Sequence, residues 1–194
     1  MPTKPTLMVA STVYQFEDSL EQICGVLNGF GYDVWNSHLG TIPVDPTLSN
    51  LENCVSAVKQ CDIFLGITRP SYGSSVAGEV SITHAECREA VRLRKPRWFL
   101  VHRDVTLARQ LLTPYMFKKD GTRTPFKLRK NPVLDDLRVI ELYHEVILND
   151  VPLEQRKGHW VQEFFRIPDA LTYLDKQFND VKRIRQICDG AYKL

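Results

Sequence analysis

The stretch CDIFLGITRPSYGSSVAGEVSITHAECREAVRLRKP, residues 61–96, decides the fold. Its apolar run at residues 63–67 predicts a buried strand, which ends in a loop of Gly, Ser, Tyr and Pro. A helix is predicted to follow, with Glu79, Thr83 and Glu86 on one face at i, i+4 and i+7. A buried strand that opens through a small-residue loop into a helix is how α/β proteins build nucleotide sites.

The same alternation of strand and helix fills the first hundred residues. Short apolar runs predict further strands at residues 7–10, 32–35 and 97–102, and the segments between the strands have apolar residues at helical spacing. The helix before the central strand is predicted to begin near Thr47 or Ser49, where Ser49 and Glu52 fit a capping box. This order predicts an α/β fold with a parallel sheet of about five strands and helices on both faces.

The second half of the chain has a weaker pattern. We predict one domain over residues 1–194, with a core at about 5–115 and a helical C-terminal extension. Residues 116–194 are predicted to hold an exposed basic loop, then a strand near 159–165 and further helices.

The composition of the chain argues against several classes of partner and site. The 194 residues are 43% hydrophobic and carry a net charge of +2, which is too small to indicate nucleic acid or an acidic membrane as a partner. No apolar stretch approaches the roughly 20 residues that span a bilayer, and the first residues lack the apolar region of a signal peptide, so we expect a cytoplasmic protein. The five cysteines form no CxxC pair, and we expect neither a metal nor a disulfide.

A ligand crevice is expected at the carboxyl ends of the strands, where the strand order reverses. If the order is 2-1-3-4-5, the crevice lies between the first and third strands, whose loops are residues 11–14 and 68–78. Tyr14 and Tyr72 could stack on a base, whereas Ser11 and Thr12 could equally serve only as helix caps. The expected ligand-binding residues are Ser11, Thr12, Tyr14, Ser71, Tyr72, Gly73, Glu79, Ser81 and Thr83.

Glu86 is the candidate catalytic residue. A carboxylate on the helix beside the crevice could hydrogen-bond ribose hydroxyls or stabilise an oxocarbenium-like transition state as an N-glycosidic bond breaks. It could also attack the anomeric carbon. The alternative is a solvated helical glutamate without a role. The sequence contains no GxxxxGK[ST], GxGxxG, GxSxG or HExxH motif that would indicate another chemistry.

Three strings carry a family resemblance: VASTVY at residues 9–14, CDIFLGITRPSYG at 61–73 and SITHAECREA at 81–90. Together with PVLDDLRVIELY, RKGHWVQEFF and LTYLDKQF in the second half, they resemble the prokaryotic domain-of-unknown-function 4062 family. That family is similar in fold to TIR domains and nucleoside deoxyribosyltransferases, a flavodoxin-like group. The resemblance implies an antiviral or conflict-system setting, in which relatives often cleave NAD or make nucleotide signals.

The resemblance places Glu86 where those enzymes carry their catalytic glutamate. Two departures accompany it. Ile82 and Thr83 stand where TIR enzymes often have Trp-Cys, and the second acid of the deoxyribosyltransferases has no clear match.

Two functions remain open at this point. The first is an enzyme that cleaves the N-glycosidic bond of NAD or a related nucleotide, by hydrolysis or cyclisation, with that nucleotide as substrate and no separate cofactor. The second is a non-catalytic module that senses a nucleotide or works through protein contacts, as a homo-oligomer or with a partner effector protein. Aromatic residues of the C-terminal third would then form the assembly face, unless they are plain core: Trp160, Phe164, Phe165, Tyr173 and Phe178.

Overall fold

A five-stranded parallel sheet forms the centre of the computed structural model, which describes residues 4–75, 79–129, 131 and 133–191. The strand order is β2-β1-β3-β4-β5, so the order reverses between β1 and β3. This topology confirms the predicted α/β, flavodoxin-like fold. The strands are β1 Thr6–Ser11, β2 Asp33–Trp35, β3 Ile63–Thr68, β4 Arg97–His102 and β5 His159–Phe164.

Helices follow the strands in the described part of the chain. They are α1 Glu17–Phe30, α2 Asn50–Gln60, α3 Ile82–Arg92, α4 Arg103–Met116, α5 Arg138–Val146, α6 Ile167–Phe178 and α7 Val181–Ala191, with a 3₁₀ turn at Leu153–Gln155. The capping box at Ser49 and Glu52 is confirmed, because each side chain bonds the backbone N–H of the other residue.

The predicted start of the helix after β3 was wrong. Helix α3 begins at Ile82, with Ser81 as its N-cap in an extended conformation. Glu79 therefore precedes the helix and is exposed to solvent, so it does not share a helical face with Thr83 and Glu86.

Alternating side chains of the sheet build one core on each face. Leu7 and Val9 point to a core that includes α1, α6 and α7, whereas Met8 and Ala10 point to a core that includes α2, α3, α4 and α5. Gly66 permits close packing on this second face, because a Cβ atom there would lie 2.6 Å from Cδ1 of Phe99.

The C-terminal part of the chain contributes to both cores. Strand β5 pairs with β4 along its whole length, and Phe178 of α6 packs edge-on against Tyr32 and Trp98. Of the aromatic residues considered as an assembly face, Phe164 and Phe178 are buried, while Trp160 and Phe165 are more than half exposed. All five cysteines are free and buried. Among the described residues, no helix is long and apolar enough to cross a membrane.

Candidate active site at the carboxyl ends of β1 and β3

The loops that follow β1 and β3 are joined by Arg69, the first residue after β3. Its Nη1 donates to the carbonyls of Thr12 and Tyr14 at 3.2 and 3.1 Å, and its Nη2 donates to the carbonyl of Gln15 at 3.2 Å. The guanidinium also lies 4.2 Å from the centre of the Phe16 ring, a cation–π contact. Because one cation holds three carbonyls, the two loops are fixed side by side.

Gly73 brings the second loop close to Thr12. Its φ of +85° lies in the left-handed region, which glycine adopts without strain. A Cβ atom at this position would lie 3.1 Å from Oγ1 of Thr12, so any side chain would crowd the crevice. The close approach of the two loops therefore depends on glycine here.

Asp135, ahead of α5, fixes the first part of the β3 loop. Its carboxylate accepts from Oγ of Ser71 at 3.1 Å and from the backbone N–H of Tyr72 at 2.9 Å. Ser71 is thereby directed towards Asp135. Tyr72 is only 2% exposed, with Arg138 lying 4.4 Å from its ring centre, so it cannot stack on a ligand as expected.

The start of α3 is held by a chain of buried polar groups. The backbone N–H of Ser81 donates to the phenol oxygen of Tyr72, which lies 2.7 Å from Nδ1 of His84. On the other side of the imidazole ring, Nε2 of His84 lies 3.2 Å from Oε2 of Glu145. Arg88 also binds Glu145, through two bonds of 2.6 and 2.7 Å.

This chain leaves Glu145 firmly ionised. Burial alone would raise its pKa, but the hydrogen bonds from Arg88 and His84 lower the pKa to about 2. This series of polar contacts connects the N-cap of α3 to α5. The position of Ser81 therefore depends on Glu145, which lies 64 residues later in the sequence.

A cavity of about 210 Å³ lies between these loops and α3. It is formed at the carboxyl ends of β1, β2 and β3, where the reversed strand order predicts a ligand crevice. Its lining residues are Ser11, Thr12, Val13, Tyr14, Ser37, Gly73, Ser74, Ser81, Ile82, Thr83 and Glu86.

Glu86 lies at the inner end of the cavity and is only 3% exposed. Burial raises its pKa to about 8, while a hydrogen bond with the thiol of Cys54 on α2 acts in the opposite direction. The ordinary pKa of this group is 4.5, so the carboxyl group differs strongly from the solvated residue that the alternative interpretation assumed. A buried carboxyl group with a strongly shifted pKa inside a cleft is a feature of catalytic sites.

The two helix N-termini near the cavity differ in their charge. The N-terminus of α1 is occupied by Glu17, whose carboxylate accepts from the backbone N–H of Phe16 at 2.8 Å. The first turn of α3 has no acidic residue, and Ser81 caps it by accepting from the backbone N–H of His84. An anionic group of a ligand is therefore better accommodated at the start of α3 than at the start of α1.

The structure thus brings together seven of the ten residues named from the sequence: Ser11, Thr12, Tyr14, Gly73, Ser81, Thr83 and Glu86. Ser71, Tyr72 and Glu79 lie outside the cavity, for the reasons given above. Sequence reasoning missed Ser37 and Ser74 on the rim and Cys54 beside Glu86. Ser37 follows β2, and its place after the neighbouring strand was a usable signal.

A larger cavity, of about 720 Å³, lies on another side of α3 and does not include Glu86. Apolar side chains supply most of its wall, and its two arginines are already paired, Arg88 with Glu145 and Arg92 with Glu89. The smaller cavity is the better candidate for chemistry, because it holds Glu86, a buried carboxyl group with a raised pKa, at the point where the strand order reverses.

Comparison with known proteins agrees with this architecture. The family described as "Domain of unknown function (DUF4062)" matches residues 6–146. Among solved structures, the CMP N-glycosidase of Clostridium botulinum is similar in fold, with a TM-score of 0.50 and 16% sequence identity over 89% of this chain and 98% of that chain. The curated proteins contain no match to this sequence.

Proposed function

The chain belongs to the DUF4062 family, and we propose that it cleaves the N-glycosidic bond of NAD or a related nucleotide, by hydrolysis or cyclisation. The observation that carries this proposal is the buried carboxyl group of Glu86 at the inner end of the cavity between the β1 and β3 loops. The fold shared with a CMP N-glycosidase supports the same class of reaction.

The number of carboxyl groups favours a substrate with a cationic base. Glycosidases with two carboxyl groups use one of them to protonate the leaving group. Glu86 is the one carboxyl group among the described residues that line the cavity. Nicotinamide is positively charged while attached to ribose and leaves as a neutral molecule, so its departure needs no proton donor. A pyrimidine or purine base would need one.

The ionisation of Glu86 fits such a substrate. With a pKa of about 8 the carboxyl group is mostly protonated at pH 7. A pyridinium ring beside it would lower the pKa, because an opposite charge favours the ionised form. The carboxylate formed in this way would then stabilise the oxocarbenium-like cation that develops on the ribose, or attack its anomeric carbon.

The remaining cavity residues suit the polar parts of a nucleotide. The hydroxyls of Ser11, Thr12 and Thr83 can bind ribose, and the start of α3 can accept a phosphate. Ligand pockets usually measure about 300–1,000 Å³, so a cavity of about 210 Å³ encloses only the part of the substrate near the reacting bond. Tyr14, 67% exposed at the rim, is available to stack on an outer ring.

The test is nicotinamide release from NAD by the purified protein, followed by chromatography, with NADP and CMP as parallel substrates. We expect Glu86→Gln to reduce turnover at least about 10²-fold, since glutamine keeps the shape of the side chain but cannot form the carboxylate. The matched control is Glu89→Gln, which changes a glutamate on the same helix that is paired with Arg92 outside the cavity. Equal turnover by the Glu86→Gln variant would exclude the proposed role.

One observation favours a second function, nucleotide sensing without chemistry. A protonated Glu86 is a hydrogen-bond donor, and a neutral donor in the cavity can hold a nucleotide without breaking it. Thermal stabilisation by a nucleotide that is recovered unchanged by mass spectrometry would support sensing over catalysis.

Both functions suit a bacterial antiviral or signalling system, as proposed from the family resemblance. This setting is tested by phage challenge of bacteria that express the wild-type protein or the Glu86→Gln variant. Equal phage yield from the two strains would argue against a defence role that depends on the site.

A further inference from the structure

A second polar cavity lies at the amino-terminal ends of the strands, beside the first residues of β4 and β5. Its volume is about 220 Å³, and its polar and aromatic lining comes from Arg97, Trp98, His159, Trp160, Gln177 and Arg183. A strand of six residues is roughly 20 Å long, so the amino-terminal ends of the strands lie about that far from their carboxyl ends. The cavity is therefore distinct from the candidate active site.

Arg97 is a buried cation in the wall of this cavity, only 5% exposed. Its Nε donates to Nδ1 of His159 at 3.0 Å, and its Nη1 donates to the carbonyl of Lys95 at 3.0 Å. Neither acceptor carries a negative charge. Burial lowers the pKa of His159 to about 4, with repulsion from Arg97 as the next cause, so the imidazole is neutral at pH 7.

The charge of Arg97 has no counterion in the described chain. None of the ion pairs among the described residues includes Arg97, and its Nη2 makes no hydrogen bond to them. Burial lowers its pKa to about 10, with repulsion from Arg94 as the second cause, so the group is still protonated at pH 7. A buried charge without a partner is strongly unfavourable. An anion bound beside Arg97 would therefore stabilise the folded protein.

The other lining residues reinforce this preference. Arg183 of α7 brings a second guanidinium, which donates to the carbonyl of Gln177, and none of the described lining residues is acidic. The indole of Trp98 is 8% exposed, and its N–H has no acceptor among the described residues. Trp160 is 59% exposed and presents a flat surface beside the two cations.

We propose that this cavity binds a small oxyanion of the phosphate class, held by Arg97 and Arg183 beside the two indoles. The planar guanidinium groups present parallel N–H donors that match the oxygen geometry of a phosphate. The oxyanion is either free phosphate or the phosphate of a nucleotide, in which case Trp160 stacks on the base.

The experiment measures the melting temperature and the tryptophan fluorescence of the whole chain during titration with inorganic phosphate, AMP and adenosine at constant ionic strength. Arg97→Met is compared with Arg94→Met, since each removes one positive charge and only Arg97 lines the cavity. Glu86→Gln is included because it alters the candidate active site alone. If Arg97→Met does not fold, Arg183→Gln on the half-buried face of α7 replaces it.

We expect phosphate to raise the melting temperature of the wild type, Arg94→Met and Glu86→Gln with saturation, and to leave that of Arg97→Met unchanged. Arg183→Gln should bind phosphate about tenfold more weakly. Tighter binding of AMP than of phosphate, with no effect of adenosine, identifies a nucleotide as the source, and equal binding identifies free phosphate. The proposal is overturned by a shift that Arg97→Met retains, by a response to adenosine alone, or by no saturable response to either phosphate or AMP.

Discussion

Replacing Glu86 with glutamine should change the stability of the protein in a way that depends on pH. The pKa of this carboxyl group is 4.5 for the exposed group and about 8 in the folded protein. Between these values the unfolded chain has released its proton and the folded chain has kept it, so the wild type loses stability as the pH rises. Glutamine does not titrate, and the variant lacks this loss.

The size of the effect follows from the two pKa values. Each pKa unit corresponds to about 1.4 kcal/mol, so the glutamate should lower the free energy of unfolding by about 1 kcal/mol at pH 5, about 3 kcal/mol at pH 7 and about 5 kcal/mol at pH 9. A buried glutamine with unpaired N–H groups adds a penalty of about 1–3 kcal/mol that does not vary with pH. The diagnostic quantity is therefore the change in the difference between the two proteins from pH 5 to pH 9.

Denaturant unfolding of both proteins at these three pH values measures this difference. Burial and the nearby charge of Glu86 raise the pKa of the Cys54 and Cys87 thiols, to about 12 for Cys54, so neither coupled group titrates in this range. Glu89→Gln is the matched control. The hydrogen bond from Arg92 lowers the pKa of Glu89 below its ordinary value of 4.5, so its contribution is lost as the pH falls from that value through the lowered pKa and is nearly constant from pH 5 to pH 9. A pH-independent difference for Glu86→Gln would refute the buried, protonated carboxyl group.

Two further predictions concern the loops around the cavity. Gly73→Ala should lower the free energy of unfolding by about 2–3 kcal/mol, and Gly121→Ala by about 1–2 kcal/mol. Both glycines have a positive φ, but only Gly73 lies close to Thr12. Thermal unfolding of the two variants measures the difference, and equal losses of stability would contradict the close approach of the Gly73 loop to Thr12. Arg69→Met should lower the free energy of unfolding by about 2–4 kcal/mol, because three hydrogen bonds to the loop carbonyls are lost, and it should lower kcat/KM for the proposed reaction. Arg92→Met, which removes an exposed salt bridge, should have a much smaller effect in the same measurements. Similar effects of the two changes would show that Arg69 does not hold the loops.

The sheet was predictable because β1, β3 and β4 are mostly apolar runs in regular alternation with helices. The capping box at Ser49 was equally predictable from the sequence, since its two partners lie three residues apart. The start of α3 was not. The spacing of Glu79, Thr83 and Glu86 satisfies a helical period, but the serine N-cap lies inside that spacing, and the period alone does not show where the first turn begins.

The site was predictable where it depends on strand order and unpredictable where it depends on distant contacts. The meeting of the β1 and β3 loops follows from the reversal of the sheet, and so does the proximity of Glu86. The burial of Tyr72 depends on His84 and Asp135, which lie 12 and 63 residues further along the chain. A tyrosine in a small-residue loop suggests a ligand contact until such partners are known.

The polar contacts that run from Ser81 through Tyr72 and His84 to Glu145 connect the N-cap of α3 to α5. The position of the first turn of α3 therefore depends on a side chain of α5. Substitutions on α5 that displace Glu145, which does not line the cavity, should therefore shift the first turn of α3 and change how deeply Glu86 lies in that cavity.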